Sequence, residues 1–137
     1  MNTNNSKRAA VYAVEFSYLA DCRIYNVIGI STISFSGDFK KLDASEIKFS
    51  EKKVENGYDV DFSFKITDTS AGQQQKLEKI QANGVVCKLL FSDGTAKLLG
   101  VNECPVRFSL SRKDNPSYFM MQYKGKQPEM AKFLPSF

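Results

Sequence analysis

The segment 58–66 restricts the folds open to this chain more than any other stretch of its sequence. It reads YDVDFSFKI, in which five apolar residues alternate with four polar ones. Successive side chains of a β-strand point to opposite faces of the sheet, so a period of two places all five apolar groups on one face. We therefore predict that Val60, Phe62 and Phe64 lie in the core of a β-sheet protein.

The residues before this strand predict a hairpin. Asn56-Gly57 separates it from Glu46–Val54, a second segment with β-forming residues. Asn-Gly is the dipeptide best suited to the positive φ angles of a two-residue hairpin turn. We therefore expect 46–54 and 58–66 to pair in antiparallel fashion.

Six further segments are predicted to be strands, because they are rich in apolar or β-branched residues and are bounded by turn residues. Asp93-Gly94 marks a second hairpin, and the turn around Asn115-Pro116 marks a third. The segments are Ala9–Leu19, with Tyr12, Val14, Phe16 and Tyr18 on one face; Arg23–Phe35, as one long strand bent at Gly29; Val85–Phe91 with Ala96–Val101; and Val106–Ser111 with Tyr118–Lys124.

One short helix is predicted between the two groups of strands. Ser70 and Gln73 have the spacing of a capping box ahead of Gln74–Ala82. Asn83-Gly84 follows, and such residues often end a helix in the left-handed conformation. The apolar stripe of the helix is narrow, so we expect it to dock on a sheet.

Four strands, one helix and four strands joined by short connections predict a mostly β fold. The expected architecture is an antiparallel β-sandwich or a partly closed barrel with one short helix. A length of 137 residues matches one domain, which we place at residues 9–125. Residues 1–8 are polar and non-periodic and are predicted to be a flexible N-terminal arm, and residues 126–137 an irregular C-terminal segment.

The composition argues against common enzymatic chemistry. The chain has no histidine, which removes the commonest general base and the commonest zinc ligand. No glycine-rich spacing typical of a phosphate-binding loop is present. Asp59 and Asp61 could form a carboxylate pair, but they lie on the polar face of their strand, and we interpret that face as solvated. We expect a protein that is not an enzyme, with no catalytic residues, cofactor or metal ligands.

Charge and hydropathy restrict the partners and the location. The net charge is only +4 and the lysines are scattered, so we do not expect nucleic acid binding. No apolar run reaches the roughly 20 residues of a membrane helix, and the first residues lack the apolar part of a secretory signal, so we expect the cytoplasm of the producing cell. The odd count of three cysteines predicts free thiols, of which Cys87, inside an apolar run, should be the least reactive.

Two apolar segments near the chain end are candidates for contact with another subunit. The run YFMMQY at 118–123 would project apolar groups from both faces of a strand. Either that strand is buried on both faces, or part of it forms a patch that a neighbouring subunit covers. The ending FLPSF has the same two interpretations. The candidate interaction surface consists of Tyr118, Met120, Met121, Phe133, Leu134 and Phe137.

The order of features from Val60 to Gly125 resembles small structural proteins of tailed phages and prophages, in particular tail-associated ones. The similar features are the alternating strand VDFSFKI, the polar helix AGQQQKLEKIQAN, the hairpin VVCKLLFSDGTAKLLG and a last pair of strands ending near QYKG. The chain departs from the pattern at Ala96-Lys97, where an aromatic residue often precedes the leucine pair, and at Cys104-Pro105, where a glycine-rich turn is common.

The resemblance implies a non-catalytic virion protein, tail or head-tail associated, without a cofactor. Such a protein would assemble with itself or with other virion subunits through strand edges and terminal segments, and would pass from the cytoplasm of the producing cell into the virion. A β-sandwich binding module for a carbohydrate, a peptide or a host protein is the alternative function on the same architecture.

Overall fold

The computed structural model describes residues 10–135, which form eleven strands and one α-helix. The N-terminal arm predicted for residues 1–8 lies outside this range. The helix α1 spans Ala71–Ala82. The strands are β1 Val11–Tyr18, β2 Cys22–Tyr25, β3 Ser34–Gly37, β4 Lys40–Leu42, β5 Ala44–Val54, β6 Gly57–Ile66, β7 Val85–Phe91, β8 Ala96–Leu99, β9 Ser109–Lys113, β10 Tyr118–Gln127 and β11 Lys132–Phe133.

The strands form three antiparallel sheets. The first has the order β11-β8-β7-β1-β4, the second has the order β5-β6-β10-β9, and the third is the β2-β3 hairpin. The main core contains residues of both larger sheets, and the β2-β3 hairpin packs over a smaller cluster on the other side of the first sheet. The predicted mostly β, sandwich-like fold with one short helix is confirmed.

The alternation in β6 places its side chains as predicted. Val60, Phe62 and Phe64 are buried, while the intervening Asp61 is exposed. The rings of Phe62 and Phe64 lie 5.7 and 5.5 Å from the ring of Phe108, measured between centroids. The apolar face of β6 therefore forms part of an aromatic centre in the main core.

Strand β7 is covered on both faces, which explains an apolar run that only the half-buried Lys88 interrupts. Cys87 and Leu89 belong to the main core, whereas Val86 points to the smaller cluster with Ile33 and Leu98. A strand covered on both sides has no solvated face and therefore no alternation in its sequence.

The hairpin predicted around Asn56-Gly57 is present, but its turn is displaced by one residue. Val54 pairs with Gly57, so Glu55 and Asn56 form the turn. Gly57 has a φ of +134°, and Asn56 has no positive φ. In this register the residue without a side chain lies where Gln127 comes close, and a Cβ at position 57 would meet the Gln127 carbonyl oxygen.

The single strand predicted for Arg23–Phe35 is wrong. These residues form β2 and β3, joined by the loop 26–33. Within the loop the Ile30 N–H donates to the Val27 carbonyl over 3.2 Å, and Gly29 has a φ of +87°. Of the β-branched residues that favour a strand, Val27, Ile28 and Ile30 are exposed at this turn, whereas Ile33 is buried.

The first predicted strand is present as β1, but its apolar face is interrupted. Val14 and Phe16 are buried, whereas Tyr12 is exposed. The pairing of β1 with β7 shifts register between Val11 and Ala13. This irregularity turns Tyr12 away from the face on which the alternation had placed it.

The helix begins where its cap was predicted and ends differently. The Ser70 hydroxyl accepts a hydrogen bond from the Gln73 N–H at 3.3 Å, and Asp68 accepts one from the Ser70 N–H at 3.0 Å. The predicted left-handed end is wrong, because Asn83 is extended, with a φ of −122°. Its side-chain amide donates to the Lys79 carbonyl at 2.8 Å and so caps the helix.

The residues after Lys124, predicted to be irregular from residue 126, contribute to both larger sheets. Strand β10 continues to Gln127, whose buried side-chain amide donates to the Tyr123 hydroxyl at 2.8 Å and to the Cys104 carbonyl at 3.0 Å. Ala131 is buried in the main core, and β11 pairs with β8. This part of the chain therefore belongs to the folded unit.

The three cysteines are free thiols, and Cys87 alone is fully buried. Burial raises the pKa of the Cys87 thiol, which lowers the amount of reactive thiolate. Under native conditions we expect an alkylating reagent to modify Cys87 far more slowly than Cys22 or Cys104. A time course read by peptide mass spectrometry measures the three rates, and equal rates in denaturant are the control. Fast native labelling of Cys87 would contradict its position in the core.

Candidate interaction surface

The six residues predicted as an interaction surface do not lie together. Tyr118 and Met120 are half-buried on the outer face of the second sheet, and Phe133 and Leu134 lie at the edge of the first. Phe137 lies outside the described residues. Met121 is 0% exposed and belongs to the main core, so the structure does not place it on a surface.

In the run YFMMQY, buried residues alternate with half-buried ones along β10. Phe119, Met121 and Tyr123 face the core and are buried. On the outer face the Lys65 ammonium lies 4.2 Å from the centroid of the Tyr118 ring, where its charge is attracted to the ring. The strand is therefore neither buried on both faces nor the site of a large exposed patch.

A different exposed apolar group lies at the turn between β2 and β3. Val27 and Ile28 are 62% and 86% exposed, and Ile30 is also exposed. Met130 and Phe133, from the C-terminal segment, are exposed beside this loop and line a depression together with Ile30. We call these five residues the apolar turn surface.

An ion pair holds the turn in place. The Glu129 carboxylate accepts a hydrogen bond from the Gly29 N–H at 2.9 Å and pairs with the Lys132 ammonium at 2.9 Å. Lys132 is buried and also donates to the Val27 carbonyl at 2.8 Å. The hydrogen bond from Gly29, together with Lys132, holds the pKa of the Glu129 carboxyl below its usual value. The exposed apolar side chains are therefore presented by an ordered backbone.

Backbone hydrogen bonds fasten the same loop to β11. The Phe133 N–H donates to the Ser31 carbonyl at 3.0 Å, and the Ile33 N–H donates to the Phe133 carbonyl at 3.0 Å. This parallel bridge places the loop beside the C-terminal segment. The two parts of the apolar turn surface are therefore joined by main-chain contacts, although a hundred residues separate them in sequence.

A groove of about 470 Å³ adjoins the apolar turn surface. Ile30, Met130 and Phe133 form part of its wall, so the groove and the exposed surface share these three residues. The Lys97 ammonium lies 4.7 Å from the centroid of the Phe133 ring. The rest of the wall comes from three further places. They are the β5-β6 hairpin with Lys53, Val54, Glu55, Gly57 and Tyr58, the C-terminal segment with Pro128, Glu129, Ala131 and Lys132, and the loop residues Gly29 and Ser31.

A half-buried carboxylate fastens the C-terminal segment to β5. Glu51 accepts a hydrogen bond from the Ala131 N–H at 2.6 Å. Burial raises the pKa of the Glu51 carboxyl, although the Ala131 N–H and the Lys97 charge act in the opposite direction. Glu51 therefore carries a charge that the folded state partly desolvates.

We expect the Glu51→Gln variant to gain stability relative to the wild type as the pH rises from about 4 to 7. The folded-state pKa of Glu51 is raised, so folding favours its protonated form, and the carboxyl contributes less stability once the pH passes through the folded pKa. Glutamine keeps an oxygen to accept the Ala131 N–H and has no charge.

Urea denaturation of both proteins at several pH values tests this, with Glu103→Gln, at an exposed position, as the matched control. The prediction is wrong if the difference in stability between the wild type and Glu51→Gln does not change with pH. The Glu51 carboxyl would then have the same pKa in the folded and the unfolded protein.

The sheet edges are poorly suited to pairing with another chain. Strands β4 and β11 have only three and two residues. Strand β5 has eleven residues, but its register with β6 shifts between Ser45 and Lys48, and Glu46 there has a φ of +49°. Exposed Lys48 and Lys52 also lie on it. Short strands, irregularities and lysines on edge strands hinder edge-to-edge association.

The acidic pair on β6 has the surroundings of a solvated sheet face. Asp59 and Asp61 are exposed, and the cross-strand partners of Asp59 are Lys52 and Lys126. Asp61 pairs across the strands with Lys124. Within residues 10–135 no three acidic or cysteine side chains lie close enough to hold a metal ion.

Between Ala10 and Pro135 no helix has the length and apolar character needed to cross a membrane. No protein-family model, curated protein or solved structure matches the chain. The functional interpretation therefore depends on the surface of the chain itself.

Proposed function

We propose that this chain is a non-catalytic structural subunit that assembles with other protein subunits through the apolar turn surface. The observation that carries the proposal is Ile28, 86% exposed, at a turn fastened by the buried Lys132 and its partner Glu129. Concentrated exposed apolar side chains mark protein–protein contact sites. A turn that is already ordered loses little conformational entropy when a partner binds.

The assembly proposed is a phage or prophage virion, with the subunit in the tail or at the head-tail junction. The support for this is the resemblance of residues 60–125 to tail-associated structural proteins. The quoted stretches fall on β6, α1, the β7-β8 hairpin and the β9-β10 pair, so they cover one half of the sandwich-like unit. The absence of histidine from the chain agrees with a structural role.

The C-terminal segment takes part in the proposed assembly, and the sheet edges do not. Met130 and Phe133 of that segment belong to the apolar turn surface, in keeping with a role for the chain end. The edges of the larger sheets are short, irregular or lysine-bearing. We therefore assign the contact to side chains and not to the pairing of strands across subunits.

Two measurements test the proposal. Particles purified on a density gradient from cells that carry the gene should contain the chain, at a constant ratio to the other particle proteins in quantitative mass spectrometry. Light scattering of the pure protein, with or without those proteins, should give masses above that of the 15.4 kDa chain. Absence from the particles would exclude the virion, and a chain that associates with nothing would exclude assembly altogether.

The groove favours a second candidate, a binding module. Its volume lies in the range of ligand sites, and Lys53 and Lys97 stand beside the apolar residues Tyr58 and Phe133. This combination suits an extended peptide with apolar and acidic residues. Saturable binding of such a peptide by the monomeric chain would favour the binding module over the structural subunit. The Lys97→Met variant should then bind the peptide more weakly, and the control Lys48→Met, on β5, should bind it like the wild type.

A further inference from the structure

The apolar turn surface and the groove lie side by side on one face of the molecule. The turn 27–30 presents Val27 and Ile28 to solvent, and Ile30 at its end also lines the groove. A protruding apolar element and a depression with a partly apolar wall therefore share a border. On one chain, this arrangement is complementary to itself.

Two-fold symmetry can cover the exposed turn and fill the groove at the same time. A two-fold axis through their shared border places the turn of each copy against the groove of the other, which makes the contact isologous and closed. We propose that a second copy of this chain occupies this surface, in a two-fold dimer in which Val27 and Ile28 of each copy lie in the groove of its partner. This inference rests on the proposed function, because it treats the turn as an assembly site.

The size of the surface comes close to what a dimer needs. The five residues of the apolar turn surface together expose on the order of 500 Å², taking about 150–200 Å² for a fully exposed large apolar residue. A stable protein interface buries about 800 Å² on each partner. The apolar turn surface and the remaining groove wall thus account for most of one side of an interface.

The backbone of the turn can be buried at low cost. The Gly29 N–H is already bonded to Glu129, and the Val27 carbonyl is already bonded to Lys132. An unsatisfied backbone group would oppose burial, and these two groups are satisfied within the subunit. The inserted side chains are uncharged and lie against the apolar part of the groove wall, Val54, Met130 and Phe133. The same wall carries Lys53, Glu55 and Lys97, which a second copy leaves without charged partners from the turn.

Sedimentation equilibrium of the full chain tests the dimer. We expect the wild type to reach twice the mass of the 15.4 kDa chain and Ile28→Glu to raise the dimer dissociation constant at least about tenfold. Ile28 is almost fully exposed, so this change leaves the fold intact, as circular dichroism can show. The control is Tyr12→Glu, at a 62% exposed position on β1, which β7 and β8 separate from β11. This control should dimerise like the wild type.

A charge pair tests the orientation. Met130 is exposed in the groove wall, so Met130→Lys should also weaken the homodimer. Mixing Ile28→Glu chains with Met130→Lys chains should restore dimers, because one contact becomes an ion pair and the other keeps wild-type residues. Truncation after Gln127 is a poorer test, since it removes the buried Ala131 from the core.

The outcomes separate the dimer from the proposed function. If the wild type self-associates and Ile28→Glu associates equally well, the apolar turn surface is not the contact, and both the dimer and the surface named in the proposed function are wrong. Only the role as a structural subunit is then left for the particle measurement to decide. A wild type that stays monomeric up to about 1 mM, or that forms only species larger than a dimer, overturns the two-fold dimer. If Ile28→Glu instead abolishes binding to a different particle protein, the occupant is not a second copy. In the other cases the particle measurement decides the proposed function independently.

Discussion

Replacement of Phe62 by alanine is expected to lower the free energy of unfolding by about 3 to 5 kcal/mol. Phe62 is 0% exposed and stands in the middle of β6. Its ring centroid lies 5.4 to 5.9 Å from those of Phe49, Phe64 and Phe108. These rings belong to strands and loops that are fixed by their own pairings, so the cavity left by the missing ring would not close.

The effect is large compared with the total stability of a small domain, about 5 to 15 kcal/mol. Urea denaturation followed by circular dichroism measures it. The matched control is Asp61→Asn, one residue away on the opposite, exposed face of the same strand. It should leave the midpoint close to that of the wild type. If both substitutions shifted the midpoint equally, the assignment of the two faces of β6 would be wrong.

Replacement of Gly57 by alanine is expected to cost about 2 to 4 kcal/mol. Its φ of +134° is a conformation that residues with a side chain rarely adopt. A Cβ atom at this position would also collide with the Gln127 carbonyl oxygen. Gln127 cannot retreat easily, because its backbone is part of β10 and its buried side chain is bonded to Tyr123 and Cys104.

Gly94→Ala separates the two causes. Gly94 also has a positive φ, +90°, in the β7-β8 hairpin, but a Cβ there meets no atom within 4 Å. Its cost should therefore reflect backbone strain alone and be the smaller of the two in the same denaturation experiment. If Gly94→Ala were as destabilising as Gly57→Ala, the contact with Gln127 would contribute nothing.

The parts of the fold that the sequence predicted correctly are those whose signal is local. The period of two in β6, the Asp93-Gly94 turn and the Ser70 cap each depend on residues a few positions apart, and each is present in the structure. The Asn56-Gly57 turn shows the limit of such signals. The dipeptide predicted the hairpin, yet the turn lies one residue earlier, and Gly57 stands beside Gln127, a residue far away in the sequence.

The loop 26–33 could not be recognised from its composition. The residues VIGI have the same β-branched character whether they pair with a neighbouring strand or project into solvent, and only tertiary structure decides between these. The one local signal was Gly29, which breaks the apolar run and has a positive φ in the structure. In a sequence, a glycine inside an apolar run fits a bend within a strand equally well.

The candidate surface could be predicted only in part, because tertiary structure brings its residues together from distant parts of the sequence. Phe133 was identified from the apolar chain end, and it does belong to the apolar turn surface. Its neighbours Val27 and Ile28 come from a loop a hundred residues away, and the Glu129–Lys132 pair that brings them together gives no pattern in sequence. Met121 was selected from its apolar run, but alternation within β10 turns it into the core.

The smaller cluster is separate from the main core. The β2-β3 layer and the sandwich interior can therefore open to solvent at different free energies. The β2-β3 hairpin covers Ile33, Val86 and Leu98 on one side of the first sheet, while the sandwich interior lies on the other side. Proteins open in partly independent units, and units with few buried contacts open most readily. Amide hydrogens of β2 and β3 can therefore exchange with solvent while those of β7 stay protected. The hydrogen bonds of Gly29 and Lys132 order the Ile28 turn while this layer is closed, and the layer can open without opening the sandwich interior.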